Sequence, residues 1–113
     1  MSEATPKIIG IVVEIAEERT RQVDKFGVQK HPDGTGHAPI SAAAFLAEAR
    51  ARCEKATGRG PSDEYGVLTW EEILTEEYAE ALCETDPDKL RAELVQVAAV
   101  CAAWIEDIDS RKK

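Results

Sequence analysis

The stretch TEEYAEALCETDPDKLRAELVQ, residues 75–96, carries five glutamates and two aspartates in 22 positions. Glu76, Glu77 and Glu80 fall as E-E-x-x-E, and Glu93 and Gln96 fall as E-x-x-Q. On a helix, residues three apart project from the same side. Glu76 then lies about 100° round the axis from Glu77. Several carboxylates aimed at one point repel each other. A hard divalent cation such as Mg²⁺ or Mn²⁺ relieves that repulsion and prefers oxygen ligands. It can also bridge to phosphates and acidify a bound water for attack on phosphorus. Glu84, Asp86 and Asp88 need no such role, because capping and solvation of a turn account for them. Glu77 differs, being one turn from both Ile73 and Ala81, within the apolar side of its helix. Gln96 interrupts a segment that is otherwise apolar, and Glu93 borders it.

These residues need two helices to position them. Thr69 opens the first as the start of a capping box, TWEE, with Glu72 reaching back. That helix is expected to run to about Glu84. The sequence TDPDK breaks it. Asp86 is a good N-cap and Pro87 a good first-turn residue for the next helix, expected over residues 87–108. So short a connection makes the two helices antiparallel neighbours, with Glu77 and Glu80 facing Glu93 and Gln96 across a groove. From Leu94 to Ile105 the second of these helices is apolar nearly all round, which requires cover on several sides, from a bundle or from a subunit contact.

Two further helices precede them. Ile8, Ile11, Val12, Ile15, Val23 and Phe26 recur at helical spacing over residues 8–26, and Gly27 is a plausible stop. GVQKHPDGTGHAPI reads as a loop with Pro-Asp-Gly turn chemistry. Ser41 is placed to cap an alanine-rich helix that runs to about Thr57, with Gly58 ending it, and GRGPSDEYG reads as a second loop. No strand pattern is present. The chain reads as one all-α domain over residues 1–113, a four-helix arrangement with two long loops.

Arg19, Arg21, Gln22 and Lys25 on the first helix are candidates to bind phosphate or base, because Arg and Lys complement phosphate oxygens. Pairing with Glu17 and Glu18 on a solvated face is the plainer account, and it is weakest for Arg19, one turn after Ile15 on the apolar side. Arg111, Lys112 and Lys113 suit a helix C-terminus. The two histidines, His31 and His37, are too few for a zinc site and no cysteine pattern accompanies them. The glycine-rich loop over residues 27–36 has the composition of a lid. Trp70 and Trp104 read as core or interface residues before they read as base-stacking ones.

Composition excludes some classes. With 22 acidic and 14 basic residues among 113, the net charge is −8. Such a chain is repelled by nucleic acid and by anionic membranes. No apolar run approaches the roughly 18 residues of a membrane span. MSEATPK lacks the layout of a signal peptide. Cys53, Cys83 and Cys101 are odd in number and lack a C-x-x-C pair, as expected of reduced thiols in a cytoplasmic protein.

The E-E-x-x-E motif, followed by twelve residues and E-x-x-Q, resembles the motif of the MazG-like nucleoside triphosphate pyrophosphohydrolases. Gln96 stands at the place of that family's usual aspartate. LTWEEILTEEYAEAL, LRAELVQVAAVCAAWIEDI and EERTRQVDKFGVQKHPDGTG extend the resemblance, to the short MazG-like proteins of actinobacteria and their phages. The resemblance implies a four-helix MazG-like bundle completed by dimerisation, as a homodimer or homotetramer. It implies hydrolysis of a (d)NTP to the monophosphate and pyrophosphate, with Mg²⁺ or alternatively Mn²⁺. Carried over, Glu77, Glu80 and Glu93 are metal ligands, with Gln96 at the fourth position. Glu76 is a further ligand or orients the attacking water. The alternative is a non-catalytic nucleotide-binding or regulatory protein that retains the fold.

Overall fold

The computed structural model describes residues 5–36, 39–57 and 68–111, with side chains described for 7–36, 41–54 and 68–111. It consists of four helices: α1 (Thr5–Phe26), α2 (Pro39–Thr57), α3 (Trp70–Cys83) and α4 (Pro87–Ser110). No strand occurs among the described residues, so the all-α class holds. Among them no helix is long and apolar enough to cross a membrane.

Local chemistry explains the ends. α1 begins three residues before the first periodic apolar residue and takes Pro6 into its first turn, where a missing N–H costs nothing. It stops at Gly27, whose φ of 73° is in the left-handed region and whose N–H donates to the Val23 carbonyl at 2.7 Å. That bond satisfies one of the free carbonyls of the last turn. α2 starts at Pro39 for the same reason, so Ser41 lies inside the first turn and not at the cap. Gly58 and the loop after it are outside the described residues, as are His37, Lys112 and Lys113. α4 extends two residues past Ile108, and its end is closed by the Arg111 N–H donating to the Ile108 carbonyl at 3.1 Å.

The chain forms two compact units. One contains α1 and the part of α4 from Cys101 onward; Ile11 and Ala102 are its buried apolar residues among those described. Along α1, the apolar periodicity translates into burial only at Ile11, with Ile8 half-buried. Ile9, Val12, Val13, Ile15, Val23 and Phe26 are all exposed.

The second unit, Gly34–Val100, holds α2, α3 and the first part of α4. Its core is made of small side chains, Ala49, Cys53, Ala79 and Ala81, with Leu90. α2 packs on α3. Four side-chain contacts pin the pair. The Phe45 and Tyr78 rings meet edge-on at 6.2 Å, and the Cys53 thiol donates to the Glu72 carbonyl at 3.4 Å. Arg52 donates to both Glu71 oxygens at 3.1 and 2.9 Å. Arg50 reaches Glu80 at 3.6 Å. Gly36 is tied to this unit as well: its N–H donates to the Leu82 carbonyl at 3.1 Å, at the C-terminal end of α3. The lid-like loop is therefore anchored at that end.

Candidate metal centre

Two caps set where α3 and α4 begin. At α3, the expected capping box is complete: the Glu72 N–H donates to Thr69 Oγ1 at 3.3 Å, and the Thr69 N–H donates to Glu72 Oε1 at 3.2 Å. The Thr69 hydroxyl adds a 2.6 Å bond to the same carboxylate oxygen. Those bonds satisfy the Glu72 carboxylate, the one charged side chain buried among the described residues. At α4, the Lys89 N–H donates to Asp86 Oδ2 at 3.3 Å, as expected of an aspartate N-cap. Only residues 84–86 separate the two helices.

This short turn brings acids from both helices together. Glu77 and Glu80 of α3 and Glu93 of α4 each offer a carboxylate oxygen, and these oxygens all lie within 4.8 Å of one another. All three side chains are half-buried. Octahedral Mg²⁺, with bonds of about 2.1 Å, needs ligand oxygens about 3 Å apart when adjacent and about 4.2 Å when opposite.

The electrostatics agree with the geometry. Burial, then the charges of Glu80, Glu93 and Glu76, push the Glu77 carboxyl above its ordinary range. Glu93 is pushed up by burial, then by the charge of Glu80, a hydrogen bond with Glu80 and the charge of Glu84, against an opposing pull from Arg50. Both groups are harder to ionise than usual because neighbouring carboxylates already hold negative charge in a partly dry place. A divalent cation would reverse that effect, so the donor set fits one.

Glu76, adjacent to Glu77, is half-buried and close enough for its charge to act on Glu77, but it is not one of the three converging carboxylates. Gln96 is exposed, one turn on from Glu93, beside exposed Leu94 and Val95. The apolar stretch of α4 is thus uncovered at its start.

The residues expected to bind phosphate or base belong to the other compact unit. Arg21, Gln22 and Lys25 line a groove of about 450 Å³ with Glu18, Phe26 and Gln29; Arg19 is not among its lining residues. All four candidates are exposed and engaged locally. Arg19 donates to Gln22 at 2.6 Å, Arg21 to Glu18 at 2.8 Å, and the Lys25 ammonium lies 5.2 Å from the centre of the Phe26 ring. A second groove in that unit, of about 600 Å³, is lined by Gly10 and Ile11 with Lys7, Glu14, Glu106 and Asp109. Arg111 pairs with Asp107 at 3.3 Å. His31 is exposed and belongs to no metal-binding group among the described residues.

Arg50 is the residue that sequence reasoning missed. It sits on α2, 27 positions before Glu77 in a helix whose contacts have no signature in the chain. Only folding places its guanidinium beside Glu80. No family model, curated protein or solved structure matches this chain.

Proposed function

We propose that this chain is a metal-dependent nucleoside triphosphate pyrophosphohydrolase of the MazG-like kind, cleaving a (d)NTP to the monophosphate and pyrophosphate. The convergence of Glu77, Glu80 and Glu93, with oxygens within 4.8 Å of one another, carries the reading. In it these three carboxylates would hold Mg²⁺ or Mn²⁺, and the Gln96 amide oxygen would be an uncharged fourth donor. When bound, the cation neutralises phosphate charge and acidifies a water. Glu76 would orient an attacking water and take its proton as general base. A bond forms from the water oxygen to the α phosphorus, the α–β bridging bond breaks, and pyrophosphate leaves. A second copy of the chain covers apolar residues that one copy leaves open, such as Val12, Leu94 and Val95.

Pyrophosphate release from a panel of dNTPs with Mg²⁺ or Mn²⁺ tests this. Turnover that disappears in Glu77→Gln supports it. No turnover with any nucleotide, with nucleotide binding indifferent to EDTA, would sink it. Gln96 favours a second reading, a nucleotide-binding protein without turnover, because its amide brings no charge and cannot act as a base at pH 7. In that case nucleotide binds with metal present and no pyrophosphate appears.

A further inference from the structure

Three carboxylates close together need positive charge when no metal is there. Arg50, in the same compact unit, stands where such a charge acts. Its Nη2 lies 3.6 Å from Glu80 Oε1, and its charge also acts on Glu93 of α4, against the carboxylates around it. Helical side chains lean toward their helix N-terminus, which carries a long arginine at position 50 toward the end of α3 where Glu80 lies.

The hold on Arg50 is loose. Arg52, one residue pair away on the same helix, donates two hydrogen bonds to Glu71 at 3.1 and 2.9 Å. The 3.6 Å approach of Arg50 to Glu80 is longer than a hydrogen bond, and its side chain is 55% exposed against 26% for Glu80. Arg52 thus clamps α2 to α3, whereas the exposed Arg50 side chain makes only a long ion pair to Glu80. A guanidinium and a divalent cation compete for the Glu80 carboxylate. Once displaced, the guanidinium remains within a side chain's reach of the site, and it matches phosphate oxygens in charge and shape.

We infer that Arg50 is the exchangeable counter-cation of the Glu77–Glu80–Glu93 cluster, displaced from Glu80 by the metal ion and then bound to the polyphosphate of the metal-bound substrate. This rests on the metal-centre reading above.

The test uses the full chain stripped of metal. Mn²⁺ binding at pH 7 is measured by electron paramagnetic resonance for wild type, Arg50→Gln and Arg50→Lys. Binding of inorganic triphosphate to the Mn²⁺-loaded proteins is then measured by calorimetry. Removing the competing charge should tighten Mn²⁺ binding about threefold in Arg50→Gln. Triphosphate should bind about tenfold more weakly to that variant. Arg50→Lys, which keeps the charge and loses the fork, should fall between on both counts. A purely structural role would not move the two affinities in opposite directions. Unchanged or weaker Mn²⁺ binding by Arg50→Gln, or unchanged triphosphate binding, overturns the inference. Failure of wild type to bind Mn²⁺ overturns the metal-centre reading itself.

Discussion

Glu93 of α4 and Glu80 of α3 offer carboxylate oxygens within 4.8 Å of each other, and burial together with the Glu80 charge raises the proton affinity of Glu93. A proton or a cation between two such carboxylates relieves their repulsion. The relationship therefore makes the stability of the protein sensitive to both.

The pH dependence has a definite sign. Glu77 and Glu93 titrate above the ordinary value of 4.5 in the folded chain. The folded state then binds their protons more tightly than the unfolded state does. Their contribution to stability is present at low pH and is lost as pH rises from about 4.5 through the raised folded values. Divalent cation should restore it at pH 7. At about ten times its dissociation constant, Mn²⁺ should add about 1.4 kcal/mol. The increment should shrink as pH falls toward 4.5. Thermal unfolding in EDTA and in Mn²⁺ at both pH values reads this, and an equal increment at both would refute it.

Glu77→Gln separates stability from binding. Without metal at pH 7, the variant should unfold at the same or a higher temperature than wild type, because a half-buried charge among like charges is removed. Its stabilisation by Mn²⁺ and its pyrophosphate release should be lost together. A variant that melts higher and still gains stability from Mn²⁺ would show that Glu77 is not a ligand.

Gln96→Asp adds a carboxylate one turn from Glu93. It should tighten Mn²⁺ binding about tenfold, since another charged oxygen joins a hard cation. Faster turnover in this variant would identify the native site as slowed by its amide. No change in affinity would mean that position 96 faces away from the metal.

Gly36→Ala should destabilise the chain. Gly36 has a φ of +72°, and an added Cβ would lie 2.6 Å from Thr85 Cγ2. The left-handed conformation alone costs a side-chain-bearing residue about 1–2 kcal/mol. The close approach adds to that and threatens the bond to the Leu82 carbonyl. Chemical denaturation gives the value, and a loss below about 0.5 kcal/mol would contradict the tight packing of this loop end.

Thr69→Ala should cost about 1–2 kcal/mol by the same measurement. It removes the side-chain cap of α3 and leaves the buried Glu72 carboxylate without the 2.6 Å hydroxyl bond. Thr69→Ser should restore most of the loss.

The helices and their stops were legible because their causes are local. Thr69 with Glu72, Asp86 with the Lys89 N–H, and Gly27 with its positive φ act over a few residues and leave marks in the chain. The Glu77, Glu80 and Glu93 convergence was legible for a related reason: three-residue spacing on two helices joined by a tight turn leaves little geometric freedom. Helix starts were less so. Pro6 and Pro39 can open a helix without a conventional cap, which hid the first turns of α1 and α2.

Burial was legible only in part: Ile11, Ala49, Cys53 and Ala81, on apolar sides of their helices, are buried. The apolar recurrence of α1 predicts a face, but a face says nothing of what covers it, and Val12, Ile15 and Phe26 remain exposed. Likewise the local pairs Arg19–Gln22 and Arg21–Glu18 follow from three-residue spacing, whereas the groove that gathers Arg21, Gln22 and Lys25 with Phe26 needed the coordinates. Arg50 beside Glu80 is the clearest case. By itself the sequence determined the four helices, the caps at Gly27, Thr69 and Asp86, and the three acids that meet, because short-range hydrogen bonding and helical periodicity act along the chain. The tertiary structure decided which cation stands beside Glu80 and which apolar residues stay open, because charge and packing act through space between residues far apart in sequence.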